Sequence, residues 1–244
     1  MIGKFLRLFK ESVWVRGWRR TIRTCFAVAV DQIFDWRYGT NTWGWVDPED
    51  LPIDNASRSQ MTRYAPTRAR PLRKLLTRLE LPRSSAFIDI GCGKGRAIMV
   101  AAALGFREIF GVEFVPGFLE QARRNMAAFR KWLPGDINIH LIECNATDYV
   151  FPHRDSIIYF CDPFSEAVLR KVLENLRLSL RDCPRRIWMI YVDLLFREAV
   201  EATGIFDDAK EYVYGGYHFT VFTRKRETGT HPILFGTRNA MPRQ

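Results

Sequence analysis

Residues 89–96 read DIGCGKGR, between an apolar run that begins at Ala86 and a second that begins at Ala97. Three glycines at alternate positions, Gly91, Gly93 and Gly95, permit backbone conformations and close approaches that side chains block. A dinucleotide fingerprint needs its third glycine where Arg96 stands, and a Walker loop ends in Gly-Lys-Ser/Thr, which is absent. The GxGxG spacing suits instead a loop that wraps an amino-acid moiety and a ribose. Asp89, two residues before Gly91, can meet a ligand ammonium or brace the loop. Glu113 ends the next apolar run, 22 residues after Gly91, where an acid can accept hydrogen bonds from two ribose hydroxyls. The stretch ECNATDY then offers Asn145, Ala146 and Asp148 beside an adenine, whose exocyclic amine an amide or a carboxylate can read. IIYFCDPF ends a fourth run: Asp162 and the Asp162 or Pro163 carbonyl can orient a nucleophilic amine, and Phe164 can stack on a planar or cationic group. Tyr191, at the tip of a fifth run, is a second candidate proton acceptor.

Positioning these groups requires strands that end on one edge. The pattern predicts strands over 86–90, 108–113, 137–142, 156–161 and 186–191. Helical periodicity fills 94–104, 116–131, 165–180 and 194–202. Strands separated by helices imply βαβ units and a parallel sheet. Two further strand-like runs, 207–214 and 217–223, are split by Gly215-Gly216, which reads as a hairpin turn, so one of the two should run antiparallel. Upstream, 3–30 reads as a basic amphipathic helix, 38–67 as turn-rich, and 71–79 as a helix with Pro71 in its first turn. The fold expected is α/β: a Rossmann-like, seven-stranded, mostly parallel sheet with a C-terminal antiparallel hairpin and an N-terminal helical extension. The expected organisation is 1–80 as basic extension and lid, 81–224 as the ligand-binding domain, and 225–244 as a tail.

Over roughly 85–224 these residues together resemble the class I S-adenosylmethionine-dependent methyltransferases. The resemblance implies that Asp89, Gly91, Cys92, Gly93, Gly95 and Arg96 surround the methionine part of S-adenosylmethionine, with S-adenosylhomocysteine as the product. It implies that Glu113 holds the ribose, that Phe114, Asn145 and Ala146 lie near the adenine, and that the 162–164 tip faces the substrate. The pattern is also similar to a bacterial group with YGTxT, Y-x-P-T, DxGCGKGR and Asn-Pro-Phe segments, matched here by Tyr38–Thr42, Tyr64–Thr67, Asp89–Arg96 and Asp162–Phe164. That likeness implies that Tyr64 and Thr67 fold over the cofactor as part of a lid. The chain departs from the group at Asp162, where a carboxylate that only accepts replaces an amide that also donates. It departs from the adenine-N6 pattern [DNS]PP[YFW] in having one proline.

The implied activity is methyl transfer, by in-line displacement, to a nitrogen acceptor on a small molecule or protein, with no metal. The alternatives are a nucleic-acid (RNA) methyltransferase and a non-catalytic cofactor-binding or membrane-surface adaptor. The net charge is +10. Residues 1–80 hold 15 Lys/Arg against 8 Asp/Glu, so the excess is local and suits an anionic partner, a membrane surface or nucleic acid, met through the basic helix. The same helix can simply pack on its own domain. Five scattered cysteines without CxxC pairs argue for reduced thiols. With no signal-peptide layout and no membrane-length apolar run, a cytoplasmic location is expected, with peripheral membrane contact as the variant.

Overall fold

The computed structural model describes residues 32–161 and 164–225. The predicted helix 3–30, the tail after Lys225, and Asp162 and Pro163 lie outside the described residues.

Seven strands form one sheet: β1 (Ala86–Ile90), β2 (Glu108–Glu113), β3 (Asn138–Glu143), β4 (Ser156–Cys161), β5 (Ile187–Val192), β6 (Asp208–Tyr214) and β7 (Tyr217–Arg224). Their order is β3-β2-β1-β4-β5-β7-β6. The first five are parallel, and β7 is antiparallel to both β5 and β6. The expected mostly parallel sheet with a terminal hairpin is therefore present, and β7 is its reversed strand. β1 is buried along its whole length, because a central parallel strand is covered on both faces. The edge strands β3 and β6 are largely exposed, and they carry the polar and charged residues.

The helices are α1 (32–38), α2 (Asn55–Arg58), α3 (Ala69–Arg78), α4 (Arg96–Ala103), α5 (Pro116–Phe129), α6 (Glu166–Asp182) and α7 (Arg197–Glu201). α6 buries Val168, Leu169, Val172, Leu173, Leu176 and Leu180, a stripe at helical spacing that packs with Ile158, Phe160, Met189 and Tyr191. The other face of the sheet is covered by α3, α4 and α5, which share a core with Phe87, Ile109, Tyr159 and Ile190. α4 is apolar almost all round and nearly wholly buried, since α3 covers the side turned away from the sheet.

Residues 40–67 run across the carboxyl edge of the sheet. Val46 pairs with Tyr64 and Met61 with Phe164, in two isolated antiparallel bridges. A small apolar cluster of Leu51, Val115 and Phe118, with Val46, Ile53, Met61, Tyr64 and Phe114 against it, seats this segment on the start of α5. Among the described residues no helix is long and apolar enough to cross a membrane.

Candidate active site

Strand order reverses between β1 and β4, the place where open α/β sheets leave a crevice beyond their carboxyl ends. Here a partly open crevice lies at that place. Its floor is Asp89, Gly91, Cys92, Val112, Glu113 and Ala97; its roof is Gln60–Thr67. Phe114, Cys144, Asn145 and Ala146 line one end, and Cys161, Phe164 and Val168 line another part.

Glu113 is 6% exposed, and its two carboxylate oxygens accept from the backbone N–H of Gly93 (2.9 Å) and of Val115 (2.8 Å). A carboxylate has about four lone-pair sites, so each oxygen keeps capacity for a ribose hydroxyl. Burial raises the Glu113 carboxyl above the usual range, against the backbone N–H groups of Val115, Gly93 and Phe114, which favour its ionised form. Asp89 is 3% exposed. Burial, with the Glu113 charge as a second cause, pushes its carboxyl up to about 8. Two carboxyls pressed toward neutrality in one crevice are stabilised together by a cationic ligand, which supplies the opposite charge that burial removed.

All three loop glycines are left-handed, with φ of +79° at Gly91, +52° at Gly93 and +85° at Gly95. At Gly93 the chain's own roof comes close. A Cβ there would sit 2.4 Å from Cε2 of Tyr64, so the close approach is made by the chain's own aromatic ring. Gly95 caps the start of α4 and packs on Ala122. Neither Gly93 nor Gly95 is among the crevice-lining residues, whereas Gly91, Cys92 and Arg96 are.

The roof is held by polar contacts as well as packing. The Tyr64 hydroxyl donates to the Thr42 carbonyl (2.8 Å), and the ring packs on Phe118 with centroids 4.6 Å apart. Burial raises the Tyr64 phenol, so it stays protonated and remains a donor. Thr67 shares a hydrogen bond with the Tyr159 hydroxyl (3.1 Å). Lys94 donates to the Trp43 carbonyl (2.9 Å), and the Asn125 amide to the carbonyls of Asn41 (3.1 Å) and Lys94 (2.9 Å).

Asn145 places its Oδ1 on the N–H and hydroxyl of Thr147, capping a short 3-10 turn at 146–148. Its oxygen is thus engaged locally, and its amide N–H groups are the part suited to a base edge. Asp148 is exposed and outside the crevice lining. Phe164 is 7% exposed, lies edge-on to Phe160 with centroids 5.9 Å apart, and borders the crevice. Tyr191 is elsewhere. It is fully buried on the α6 side of the sheet, stacked on Phe160 at 5.4 Å, and does not line the crevice.

Sequence reasoning missed Asp35, Asn125, Met61 and Phe118. Asn125 had a readable signal, because it interrupts the apolar stripe Leu119, Ala122, Met126 and Phe129 with a buried amide. Asp35 stands one helical turn before Tyr38 and carries no such signal.

A family model described as a methyltransferase domain matches residues 87–182. Among curated proteins, a trans-aconitate 2-methyltransferase of Variovorax paradoxus (strain S110) is 29% identical over 104 residues, covering 39% of this chain and 40% of the relative. A second, of Methylobacterium radiotolerans, is 36% identical over 66 residues, covering 27% of this chain and 25% of the relative. The chain thus spans less than half the length of the curated relatives it matches. Among solved structures, the PH0226 protein of Pyrococcus horikoshii OT3 has a TM-score of 0.50 at 17% identity, covering 65% of this chain and 90% of that one, and shares the fold. Residues 87–182 are therefore similar to methyltransferase domains, on a fold that the chain shares with a solved structure.

Proposed function

We propose that the protein transfers a methyl group from S-adenosylmethionine to a nitrogen acceptor on a small molecule or protein. One observation carries the reading: the buried carboxylates Asp89 and Glu113 converge with Gly91 on one crevice at the switch point of the sheet. The residues fit a cationic nucleoside. Glu113 takes the ribose hydroxyls on its remaining lone pairs, Asp89 takes the ammonium of the methionine part, and Phe114, Asn145 and Ala146 flank the base. The cofactor supplies an activated methyl on a positive sulfur, so the chain needs mainly to position, to exclude water and to move one proton. Tyr64 and Thr67 roof the site against water. Phe164 walls the side at which an acceptor would enter, and Asp162 with the Pro163 carbonyl is assigned the acceptor's hydrogen bonds and proton. The names of the two curated relatives, with a small molecule as acceptor, support a small acceptor here too.

The direct test is incubation with labelled S-adenosylmethionine and fractionated cell extract. Label in the small-molecule or protein fraction is expected; tight cofactor binding with no transfer to any fraction would remove the catalytic reading. A second reading, a nucleic-acid acceptor, is favoured by α3, whose Arg70, Arg73, Lys74 and Arg78 face solvent on a helix without an acid. Label in RNA, with activity falling steeply as salt rises, would support it.

A proton balance follows from Asp89. A bound ammonium favours the ionised carboxylate, so binding should expel a proton below about pH 8. Affinity should climb with pH by up to about tenfold per unit, and level off where the ligand's own α-amino group deprotonates, at roughly 7.7–8.0. Calorimetry at pH 7 in buffers of different ionisation enthalpy reads the released proton directly, and zero net release would contradict the Asp89 assignment.

A further inference from the structure

Arg96 lies 2% exposed at the start of α4. Its guanidinium donates from Nε to the Thr42 hydroxyl oxygen (2.6 Å) and from its two terminal nitrogens to the Thr67 carbonyl (3.4 Å) and to Asp35 Oδ2 (3.2 Å). Asp35 in turn accepts from the Thr40 and Thr42 hydroxyls (both 2.7 Å) and from the N–H groups of Thr42 (3.0 Å) and Trp43 (2.8 Å). The side chains of the ion pair are 1% and 11% exposed. The Arg96 guanidinium also lies over the Phe34 ring, 5.5 Å from its centroid. One buried ion pair therefore gathers α1, the 40–43 turn, the Thr67 end of the roof and the helix that follows the glycine loop.

We propose that Arg96 is a positioning residue rather than a cofactor ligand: through Asp35, Thr42 and Thr67 it locks the roof of the crevice onto the glycine loop and so sets how long the bound nucleoside is retained. The chain of contacts is continuous. Arg96 holds Thr42, the Thr42 carbonyl holds the Tyr64 hydroxyl, and the Tyr64 ring rests on Gly93, whose N–H is fixed by Glu113. The Arg96 donors reach Thr67 of the roof, Thr42 and Asp35 of α1, whose charge they balance. A buried pair of this kind adds little as a pair, but losing one partner leaves a charge stranded. The roof should then open more often than the sheet beneath it.

The retention arm of the test rests on the cofactor reading above; the exchange arm does not. Hydrogen exchange is measured on the free full chain, and S-adenosylhomocysteine dissociation on its complex, for Asp35→Asn, Thr42→Val, Thr42→Ser and Arg96→Lys. Thr42→Val removes only the hydroxyl that links the two charges, so it serves if Asp35→Asn fails to fold. Amides of 40–46 and 60–67 should exchange at least about tenfold faster in Asp35→Asn and Thr42→Val, with β1 and β4 unchanged. Dissociation should quicken by about tenfold with association little altered, and Thr42→Ser should restore both. The proposal is overturned if Arg96→Lys alone loses affinity while Asp35→Asn and Thr42→Val keep the wild-type exchange and retention, since Arg96 would then act as a direct ligand. It is equally overturned if β1 and β4 accelerate along with the roof, which would make the pair a general support of the fold. If the wild type binds neither S-adenosylmethionine nor S-adenosylhomocysteine, the cofactor reading fails, and the exchange pattern alone decides the lock.

Discussion

Glu113→Ala is expected to raise the dissociation constant for S-adenosylhomocysteine by about 10²–10⁴-fold, because two hydrogen bonds to a carboxylate contribute roughly 1.5–3 kcal/mol each. The loss has a second source. In the wild type the same carboxylate accepts from the N–H groups of Gly93 and Val115, so its removal leaves two backbone donors without that partner and loosens the glycine loop. Glu113→Gln separates the two contributions. Its side chain keeps the size but has one accepting oxygen, so it cannot brace both N–H groups as the carboxylate does. An intermediate affinity is expected for it. Calorimetry with the methyl donor and with the demethylated product reads both variants, and a Glu113→Ala protein that binds like the wild type would end the assignment of the ribose site.

Gly93→Ala should be the most damaging single methyl addition in the loop. The new Cβ would lie 2.4 Å from Tyr64 Cε2 and 2.9 Å from Cδ2. The ring cannot swing away cheaply, since its hydroxyl is bonded to the Thr42 carbonyl and its face packs on Phe118. A left-handed φ of +52° adds its own penalty for a residue with a side chain. The left-handed conformation costs about 1–2 kcal/mol and overpacking about 1–3 kcal/mol, so a loss of roughly 2–5 kcal/mol in unfolding free energy is expected. Chemical denaturation measures it. In a Tyr64→Ala background the same substitution should cost only the backbone part, and an undiminished cost there would show that the ring is not what makes this position glycine.

The strands were legible because periodicity records which face is buried. The expected 86–90, 108–113 and 156–161 coincide with β1, β2 and β4, and the others fall within a residue of the observed bounds. Helix ends were less so. The expected helix 194–202 shrinks to Arg197–Glu201, since the segment before it is a turn around Asp193, whose φ is +48°. The turn-rich 38–67 stretch has no periodicity, so its own pattern did not place it over the crevice; that expectation came from the resemblance at Tyr64–Thr67. Several of its contacts are to residues 50 or more positions away, such as Thr42 with Arg96 and Thr67 with Tyr159.

By itself, the order of residues determined that a parallel sheet would present a glycine loop and two acids along one edge, because alternation, strand length and the spacing from Gly91 to Glu113 are local properties. Only the tertiary structure decided what each of those residues touches. It put Tyr64 against Gly93, brought Arg96 to Asp35 on α1, and buried Tyr191 against Phe160. The reason is physical: a contact between distant segments depends on which pleat face and which helix side meet in space, and neither is fixed until the layers have packed.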